Sequence, residues 1–586
     1  MRNLSEHNLP TIIQGGMGAG VSSWRLAQAV SRLGHLGVVS GTALDLILTR
    51  RLQDGDPGGH MRRGLDHFPI PEIVDRIWQE YFVPEGKAAR APYRTLPTRS
   101  KDSPRELTEL CIVANFVEVF LAREGHDHPI GINYLEKIQL PLLPSIYGAM
   151  LAGVGYVLMG AGIPIKIPGV LDRLANHEPA TYLLQVTGAQ ENDDRTMVFV
   201  PRDFTGCNLS ALTRPKFLAI VASNALATTM VKKADGRVDG LVIEGYTAGG
   251  HNAPPRGKLQ LDERGEAIYG ERDQVDLAKI RDLGVPFWLA GGYGRPEKLT
   301  EALAAGAAGV QVGTAFAFCE ESGLRDDYKR ALMAKALAGE ARVFTDPVAS
   351  PTHFPFKVAQ LEGTLSEQDI YGARPRICDL GYLREAYRTP DGMIDYRCSA
   401  EPVTTYVSKG GTVENTVARK CLCNALMANI GHPQLRSGKH LEQGMVTSGN
   451  DLTEIGRFLQ RGADTYTAAD VVRTLMQGTI RSGNHAFCRH DGSIEQSEVF
   501  SSASEKWVPA IRADACTGCG LCVEACGPKS LAMVEEVAEL SFPDTCGSEE
   551  HCLSACPENA IQMIWAPFGG DKAVGQWREV EALPQR

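Results

Sequence analysis

Short apolar runs alternate with amphipathic segments over the first 320 residues, and this alternation most constrains the fold. Segments Trp24–Leu33, Leu171–His177 and Pro296–Ala305 have a helical period. Strands that alternate with helices form βαβ units with a parallel sheet, and eight such units close into a barrel. We therefore predict an α/β chain whose residues 1–320 form a TIM (β/α)₈ barrel. The predicted strands are Thr11–Gln14, Gly37–Ser40, Ile130–Tyr134, Tyr156–Met159, Phe217–Ala222, Gly240–Ile243, Phe287–Ala290 and Gly309–Val312.

Several segments depart from this regular spacing. The strand-like runs Tyr182–Val186 and Thr196–Val200 exceed the count of eight, and we interpret them as an inserted hairpin. Residues 44–103 are an insertion rich in Arg, Pro and Gly, with a helix predicted over Pro71–Tyr81. Residues 321–499 form a mixed, largely helical extension. Segments of this size at the mouth of a barrel cover the active site or make an interface, so we expect the extension to cover the barrel.

Charge and hydropathy narrow the class of protein. The 586 residues carry a formal net charge of -10 and no Lys/Arg block, which argues against a nucleic-acid partner. The N-terminal residues lack the basic and apolar regions of a signal peptide. Apolar stretches are broken by Gly, Pro and Lys before they reach the roughly 18–20 residues that a membrane helix requires. We expect a cytoplasmic protein with no membrane partner.

A dense cysteine motif near the C-terminus is the strongest local signal. Seven of the fifteen Cys residues lie between Cys516 and Cys556, and the first four have the spacing C-x₂-C-x₂-C-x₃-C. At this spacing three thiolates hold one iron–sulfur cubane while the fourth reaches a second cluster. Zinc sites use paired C-x₂-C motifs with a longer gap between the pairs. The run Phe500–Val508 is interpreted as a linker into this last domain.

The second half of the motif resembles the first, with Glu549 where a Cys would stand. Together the two halves resemble two-cluster bacterial ferredoxins. The resemblance implies a small α+β, ferredoxin-like iron–sulfur domain over residues 505–586. Because of Glu549, the second cluster is [4Fe–4S], [3Fe–4S] or absent. The resemblance assigns one [4Fe–4S] cluster to Cys516, Cys519, Cys522 and Cys556, and the other cluster to Cys526, Cys546 and Cys552.

Four strand ends of the predicted barrel carry residues suited to a phosphate-bearing flavin. Gln14-Gly15-Gly16-Met17 follows the first strand, where glycine lets the backbone approach a planar ring closely. Asn133 ends the third strand and places an amide beside the same ring. Ala290-Gly291-Gly292 ends the seventh strand and Gln311-Val-Gly313-Thr314 the eighth, and the loops after these two strands are the usual phosphate site of such barrels.

The order of these motifs, with Gly160-Ala-Gly-Ile-Pro164 and Glu244-Gly-Tyr-Thr-Ala-Gly-Gly-His251 between them, resembles nitronate monooxygenases. This family, formerly called 2-nitropropane dioxygenases, is related to FMN-dependent enoyl-acyl-carrier-protein reductases. The resemblance implies non-covalent FMN in a TIM barrel, with His251 as the catalytic residue that moves a substrate proton. The expected cofactor-binding residues are Gln14, Gly15, Gly16, Met17, Asn133, Glu244, Gly249, Gly250, Gly291, Gly292, Gln311, Gly313 and Thr314.

A flavin barrel joined to a two-cluster domain predicts a route for single electrons. We expect an FMN-dependent oxidoreductase with a small-molecule substrate, whose clusters relay electrons between FMN and an external carrier such as ferredoxin or flavodoxin. The alternatives are a nitronate monooxygenase that uses O₂ directly, an FMN-dependent enoyl-thioester reductase, and a non-catalytic electron-transfer subunit. The sequence leaves a homo-oligomer open.

Weaker signals remain. Arg256 could anchor an acidic substrate, Lys166 could reach the flavin or substrate, and His353 could line a substrate wall. A further set of cysteines could form a third metal site, but their spacing matches no standard pattern and favours ordinary buried thiols. These cysteines are Cys378, Cys398, Cys421 and Cys423.

Overall fold

A computed structural model describes residues 9–206, 209–481, 503–512, 515–534, 537–567 and 572–580. The chain divides into two compact units, Met1–His485 and Ala486–Arg586. Residues 482–499 of the predicted extension and 500–502 of the predicted linker lie outside the described residues. No helix in the described part of the chain has the length and apolar character needed to cross a membrane.

The first unit is built around one parallel sheet of eight strands. Every neighbouring pair within this sheet is parallel. The eight predicted strands are confirmed, with end shifts of a residue at some positions. The strands are β1 (Ile12–Gln14), β2 (Gly37–Ser40), β3 (Ile130–Leu135), β4 (Tyr156–Gly160), β5 (Lys216–Val221), β6 (Gly240–Glu244), β7 (Phe287–Ala290) and β8 (Gly309–Val312).

The two ends of the sheet meet and close it into a barrel. The strand order runs β1-β8-β7-β6-β5-β4-β3-β2, and a parallel bridge joins Ile13 of β1 to Leu36 just before β2. The Gln14 backbone amide donates to the Leu36 carbonyl at 2.9 Å, and the Leu36 backbone amide donates to the Ile12 carbonyl at 3.0 Å. The predicted (β/α)₈ fold of this unit is therefore confirmed.

Side chains alternate between two cores along these strands. One set, which includes Val38, Leu158, Val242 and Trp288, packs together inside the barrel. The other set, which includes Val39, Val157 and Leu241, packs against the surrounding helices. Apolar residues on both faces explain why the strands read as continuous apolar runs. The helices between strands are Trp24–Arg32, Arg105–Arg123, Leu142–Leu151, Ile167–Ala175, Asn224–Lys233, Leu277–Arg281 and Pro296–Ala304.

The insertions fold as the sequence predicts. The insertion after β2 contains the helices Leu44–Gln53, His60–Leu65 and Pro71–Tyr81. The last of these has the predicted bounds, because Pro71 at its first turn needs no amide donor. The predicted hairpin is confirmed as the antiparallel pair Ala180–Leu183 and Thr196–Phe199, outside the barrel sheet. The first strand begins and ends earlier than the predicted run Tyr182–Val186, and Val186 pairs with strand Glu385–Arg388 instead.

Beyond the barrel, the chain continues in the same compact unit. Two strands of this part, Val343–Asp346 and Phe356–Ala359, form an antiparallel sheet with Gly250–His251 of the barrel. Strand Glu385–Arg388 pairs with Ile394–Arg397 and with Val186–Thr187. The principal helices here are Thr314–Ala317, Asp326–Leu337, Gln368–Ala373, Val403–Ser408, Leu422–Asn429 and Ala468–Arg481, with a 3₁₀ segment at Asn450–Phe458.

The second unit is small and mixes strands with short helices. Strand Ala503–Ile511 pairs antiparallel with Ile561–Pro567 and with Trp577–Val580, and Leu531–Val534 pairs with Val537–Leu540. The helices are Leu521–Glu524 and His551–Ala555.

The predicted linker at Phe500–Val508 is wrong from residue 503 onward, because Ala503–Ile511 is a strand. In the sequence, the charged Lys506 interrupts the alternation of apolar and polar residues that would have predicted a strand. In the structure its side chain points inward and is only 1% exposed. The Lys506 ammonium donates to the Pro543 carbonyl at 2.8 Å, which allows a charged residue to occupy an inward position.

Gly309 tests the barrel closure. A Cβ at this position would lie 1.9 Å from the Thr11 carbonyl oxygen, where β8 pairs with β1. We expect Gly309→Ala to lower the free energy of unfolding by about 2 kcal/mol or more, because the backbones of β1 and β8 must move apart to make room for the methyl group. Urea denaturation measures this change. Gly270→Ala is the control, since that Cβ would meet nothing within 4 Å. Equal stability of the two variants would contradict this account.

Candidate active site

A cavity of about 210 Å³ lies at the carboxyl ends of the barrel strands. The carboxyl end of a TIM barrel is where such enzymes place their chemistry, because the loops after the strands converge there. All eight strands contribute lining residues at their ends or in the following loops. Among these are Gly15 after β1, Thr42 after β2, Glu244 at the end of β6, Ala290 at the end of β7 and Val312 at the end of β8.

Of the predicted cofactor-binding residues, only Gln14 does not line this cavity. Its side chain is fully buried behind the first loop. The side-chain amide nitrogen of Gln14 donates to the Gly15 carbonyl and to Ser22 Oγ. Its side-chain oxygen accepts from the Val38 backbone amide at 3.0 Å. Gln14 therefore supports the loop after β1 and does not face the cavity. The lining residues are Gly15, Gly16, Met17, Asn133, Glu244, Gly249, Gly250, Gly291, Gly292, Gln311, Gly313 and Thr314, together with His251.

Glycine is required where two walls of the cavity approach each other. A Cβ at Gly16 would lie 2.3 Å from Asn133 Cβ, so no larger residue fits between the β1 loop and β3. Gly291 has φ +86 and Gly292 has φ +75, a region that favours glycine. These two residues turn the backbone sharply after β7, and the turn keeps their surface free of side chains.

Two amide oxygens in the cavity wall are buried without a partner. Asn133 Oδ1 and Gln311 Oε1 have no hydrogen-bond partner among the described residues. The Asn133 amide nitrogen donates to the Gly16 carbonyl at 3.3 Å, which leaves its oxygen turned away from that contact. A buried acceptor without a donor costs about 1–3 kcal/mol. The cavity therefore suits a ligand that presents N–H or O–H donors to these two positions.

His251 lies at the edge of the cavity and is held by the extension. It stands opposite Phe356 in the antiparallel sheet, and the two ring centroids are 4.8 Å apart. His251 Nε2 lies 2.7 Å from the hydroxyl of Ser350, a fully buried residue. Desolvation lowers the pKa of His251 to about 4, so the imidazole is neutral near pH 7.

Burial also shifts two other ionisable groups near the site. Glu244 ends β6, and burial raises the pKa of its carboxyl to about 7. Lys357 lies beside Phe356, and burial lowers the pKa of its ammonium to about 8. The ammonium donates to the Tyr246 carbonyl at 2.9 Å and to Asn450 Oδ1 at 2.7 Å. Sequence reasoning missed Lys357, because a single Lys in a strand carries no local signal.

The residues beyond 320 supply a large part of the cavity wall, and sequence reasoning did not identify them. Gly449 lies against the β8 loop, and its amide donates to Thr314 Oγ1 at 2.9 Å. The Gly294 amide, after β7, donates to Asp451 Oδ2 at 3.1 Å. The available signal was the run Ser448-Gly449-Asn450-Asp451, since its glycine and polar residues are typical of a turn. Other lining residues from this part are Phe356, Leu380, Tyr382, Leu383, Cys423, Leu426 and Met427.

Two further cavities connect the site to its surroundings. One, of about 570 Å³, shares His251 and Glu244 with the central cavity and is also lined by Arg256 and His353. The other, of about 320 Å³, shares Leu380 and three other residues with the central cavity. His251 therefore stands between the central cavity and an outer space.

The three weaker candidates occupy different places. Arg256 is exposed at the mouth beside His251, where a substrate could meet it. His353 lines the same mouth, and its Nδ1 lies 2.8 Å from an Arg419 nitrogen. Lys166 lies 3.3 Å from an Asp235 carboxylate oxygen, is 62% exposed, and does not line any of these three cavities. The proposed contact of Lys166 with the ligand therefore has no support.

The cysteines of the second unit are arranged in two similar halves. Cys522 lies in helix Leu521–Glu524, and Cys552 lies in helix His551–Ala555. Four residues after each helical Cys, the sulfurs of Cys526 and Cys556 accept backbone N–H groups at 3.2 and 3.3 Å. This equivalence follows from the repeated C-x₃-C spacing.

The thiols of the two predicted sets lie near one another. Cys522 interacts electrostatically with Cys516 and Cys556, and Cys552 interacts with Cys546, Cys526 and Cys522. Because these contacts cross between the sets, the division of the thiols into two clusters stays a prediction. A small cavity of about 30 Å³ is lined by residues of the second set and by Glu549. Within the described residues, no three His, Cys, Asp or Glu side chains converge to hold a single metal ion. Cluster thiolates each bind a different iron, so a cluster does not require that convergence.

Comparison with known proteins places a recognised domain in this barrel. Residues 207–352 match the family model "Nitronate monooxygenase". A nitronate monooxygenase of Pseudomonas aeruginosa is 37% identical over 107 residues, which are 18% of this chain and 29% of that protein. A (3aS,4S,5R,7aS)-5-hydroxy-7a-methyl-1-oxo-octahydro-1H-indene-4-carboxyl-CoA dehydrogenase of Mycobacterium tuberculosis is 30% identical over 120 residues, 20% of this chain and 30% of that protein.

Two solved structures are also similar to this chain, at lower identity. FabK from Thermotoga maritima is 17% identical with a TM-score of 0.39, covering 81% of this chain and 93% of that one. Nitroalkane oxidase from Streptomyces ansochromogenes is 16% identical with a TM-score of 0.40, covering 82% and 98%. The match to the curated relatives spans about 30% of their length. Residues 207–352, which hold β5 to β8 and His251, thus carry a nitronate monooxygenase family domain.

Proposed function

We propose that this chain is an FMN-dependent oxidoreductase in which His251 moves a substrate proton beside the flavin. One observation carries the proposal. A glycine-lined cavity with two unpartnered amide oxygens lies at the carboxyl ends of eight parallel strands, and a neutral histidine stands at its edge. The nitronate monooxygenase family domain over residues 207–352 supports the same assignment.

The cavity residues fit FMN by their chemistry. The loops after β7 and β8, with Gly291, Gly292, Gly313 and Thr314, would hold the phosphate through backbone N–H groups. Asn133 Oδ1 and the Gln311 oxygen would accept hydrogen bonds from donors of the ligand. When bound, FMN supplies two-electron exchange with a substrate and one-electron exchange with a carrier.

His251 is placed to act as a base. Desolvation lowers its pKa to about 4, so the imidazole is neutral near pH 7, and a neutral imidazole has a free nitrogen that can accept a proton. Ser350 orients the ring through Nε2, while Nδ1 has no hydrogen-bond partner among the described residues. The outer space lined by Arg256 gives an anionic or polar substrate access to the same histidine.

The C-terminal cysteines would give the flavin a one-electron outlet. We propose that Cys516, Cys519, Cys522 and Cys556 hold one [4Fe–4S] cluster and that Cys526, Cys546 and Cys552 hold a second, [4Fe–4S] or [3Fe–4S]. The spacing of the seven cysteines supports this assignment. A carrier such as ferredoxin or flavodoxin would exchange electrons with these clusters.

A second candidate function is nitronate oxidation with O₂ as the direct electron acceptor. The match of residues 207–352 to the nitronate monooxygenase model favours it. In that reaction the C-terminal clusters take no part in turnover. The two candidates therefore differ in whether catalysis needs the second unit.

Asn133 tests the flavin assignment. We expect Asn133→Leu to weaken FMN binding by about tenfold, because a buried hydrogen bond to the ligand is lost. Fluorescence titration of the apoprotein with FMN measures this change. Asn176→Leu is the control, since Asn176 is exposed at the end of helix Ile167–Ala175, away from the cavity. Unchanged FMN affinity in Asn133→Leu would contradict the assignment.

His251 is tested by comparing two protonation states of one substrate. A nitroalkane must lose a carbon-bound proton before oxidation, whereas its nitronate has already lost it. We expect His251→Ala to slow anaerobic flavin reduction by nitroethane about 10²–10⁴-fold and to spare reduction by the nitronate. His128→Ala, at an exposed histidine, is the control. Equal loss with both substrates would assign His251 a structural role.

The pH dependence of the same reaction distinguishes His251 from Glu244 as the catalytic base. Because the pKa of His251 is lowered to about 4, kcat/KM should rise as pH increases through about 4 and stay level above it. An unperturbed histidine would give the rise near pH 6.5. A rise near pH 7 that disappears in Glu244→Gln would instead assign the base to Glu244.

The relay is tested by removing the clusters from the full chain. We expect the double variant Cys519→Ala, Cys552→Ala to lose flavin reduction by reduced ferredoxin. The measurement is the bleaching of the flavin absorbance under anaerobic conditions. Flavin reduction by substrate should be unchanged in the same variant. If ferredoxin has no effect on the flavin even in the wild type, while nitronates turn over with O₂, the second candidate function is correct.

A further inference from the structure

Four cysteines outside the C-terminal motif lie together in the first unit. This unit has six described cysteines, and the two that lie elsewhere are Cys111 and Cys319. Cys398, which follows strand Ile394–Arg397, packs with Cys421, the residue before helix Leu422–Asn429. Cys378, from a loop after helix Gln368–Ala373, packs against both. Three separate segments of the chain therefore bring their thiols to one place.

The fourth thiol of this group connects it to the central cavity. Cys423 lies in the first turn of the same helix and lines the cavity. Cys423 lies near the thiols of Cys421 and Cys378 and near the backbone of Leu383 and Tyr382. We name these four residues the thiol cluster.

An amide donor and several cations lie beside the thiol cluster. Asn424 Nδ2 lies 3.5 Å from Cys421 Sγ. Three arginines act electrostatically on three different thiols: Arg374 on Cys421, Arg384 on Cys378 and Arg419 on Cys398. Arg374 also forms a buried ion pair with Glu442, so its charge is shared.

Ordinary buried thiols are neutral and behave as small apolar groups, so they need neither cations nor N–H donors. Metal binding, in contrast, deprotonates thiols and leaves negative charge that such neighbours stabilise. A zinc ion requires ligands that converge on one point, and the described residues contain no such group. An iron–sulfur cubane binds four thiolates through four different irons and is compatible with a wider arrangement.

We infer that Cys378, Cys398, Cys421 and Cys423 bind a [4Fe–4S] cluster at the wall of the central cavity. This site is separate from the C-terminal motif, and its existence does not rest on the proposed function. Because Cys423 itself lines the cavity, the cluster would place a one-electron carrier beside the ligand of the barrel. Any electron path from the barrel ligand would then begin within the first unit.

The experiment counts iron in the full chain after the C-terminal motif has been disabled. The starting variant carries Cys519→Ala, Cys522→Ala, Cys546→Ala and Cys552→Ala, and it is purified anaerobically. We expect about four irons and about four acid-labile sulfides per chain to remain, with an EPR signal after dithionite reduction. This first measurement leaves the thiol cluster intact, so it does not depend on the folding of a cluster variant.

A second step assigns the remaining iron to its ligands. Adding Cys378→Ala and Cys421→Ala to the starting variant should remove the iron and the EPR signal. Adding Cys319→Ala instead, at a buried cysteine elsewhere in the unit, should leave both unchanged. Circular dichroism establishes that each protein is folded.

Three results would overturn the inference. The first is a folded starting variant without iron. The second is one zinc per chain that is lost with Cys378 and Cys421. The third is a disulfide between Cys378 and Cys398 in the anaerobic wild-type protein, detected by mass spectrometry of a non-reduced digest.

Discussion

Closure of the eight-stranded sheet is the constraint on which the rest of the first unit depends. The hydrogen bonds between Ile12, Gln14 and Leu36 join the two edge strands, so no edge is left open. Because all strands are parallel, closure brings their carboxyl ends to one rim. Trp288 fills the interior and donates from its indole N–H to the Pro10 carbonyl at 2.7 Å. The interior is thereby packed, and the cavity at the carboxyl ends of the strands lies at the rim.

The dry environment at this rim sets the charge of its ionisable groups. Burial favours the uncharged form of an acid and of a base alike, so it raises the pKa of Glu244 and lowers that of His251. His251 is held by Ser350 and Phe356. Among the described residues, no charged partner offsets the desolvation of either group. Such groups destabilise the folded chain and equip it for proton transfer, a combination typical of active sites.

The residues beyond the barrel complete the site and do not merely cover it. Strand Phe356–Ala359 aligns His251 by pairing with it, and Ser350 fixes the orientation of the imidazole. The turn at Gly449 closes the side of the cavity next to Thr314. The matched family domain ends at residue 352, so much of this wall lies beyond it.

The sequence by itself determined the eight strands, the helix Pro71–Tyr81 and thirteen of the residues that line the cavity, because strand period, proline and glycine act on their immediate neighbours. Only the tertiary structure decided which side chains face a ligand. In the structure the Gln14 side chain does not face the cavity, and the predicted linker around Lys506 is a strand. The tertiary structure also placed Ser350 against His251, 99 residues away in the chain. Contacts of this kind arise from packing between distant segments, and packing leaves no local pattern in the sequence.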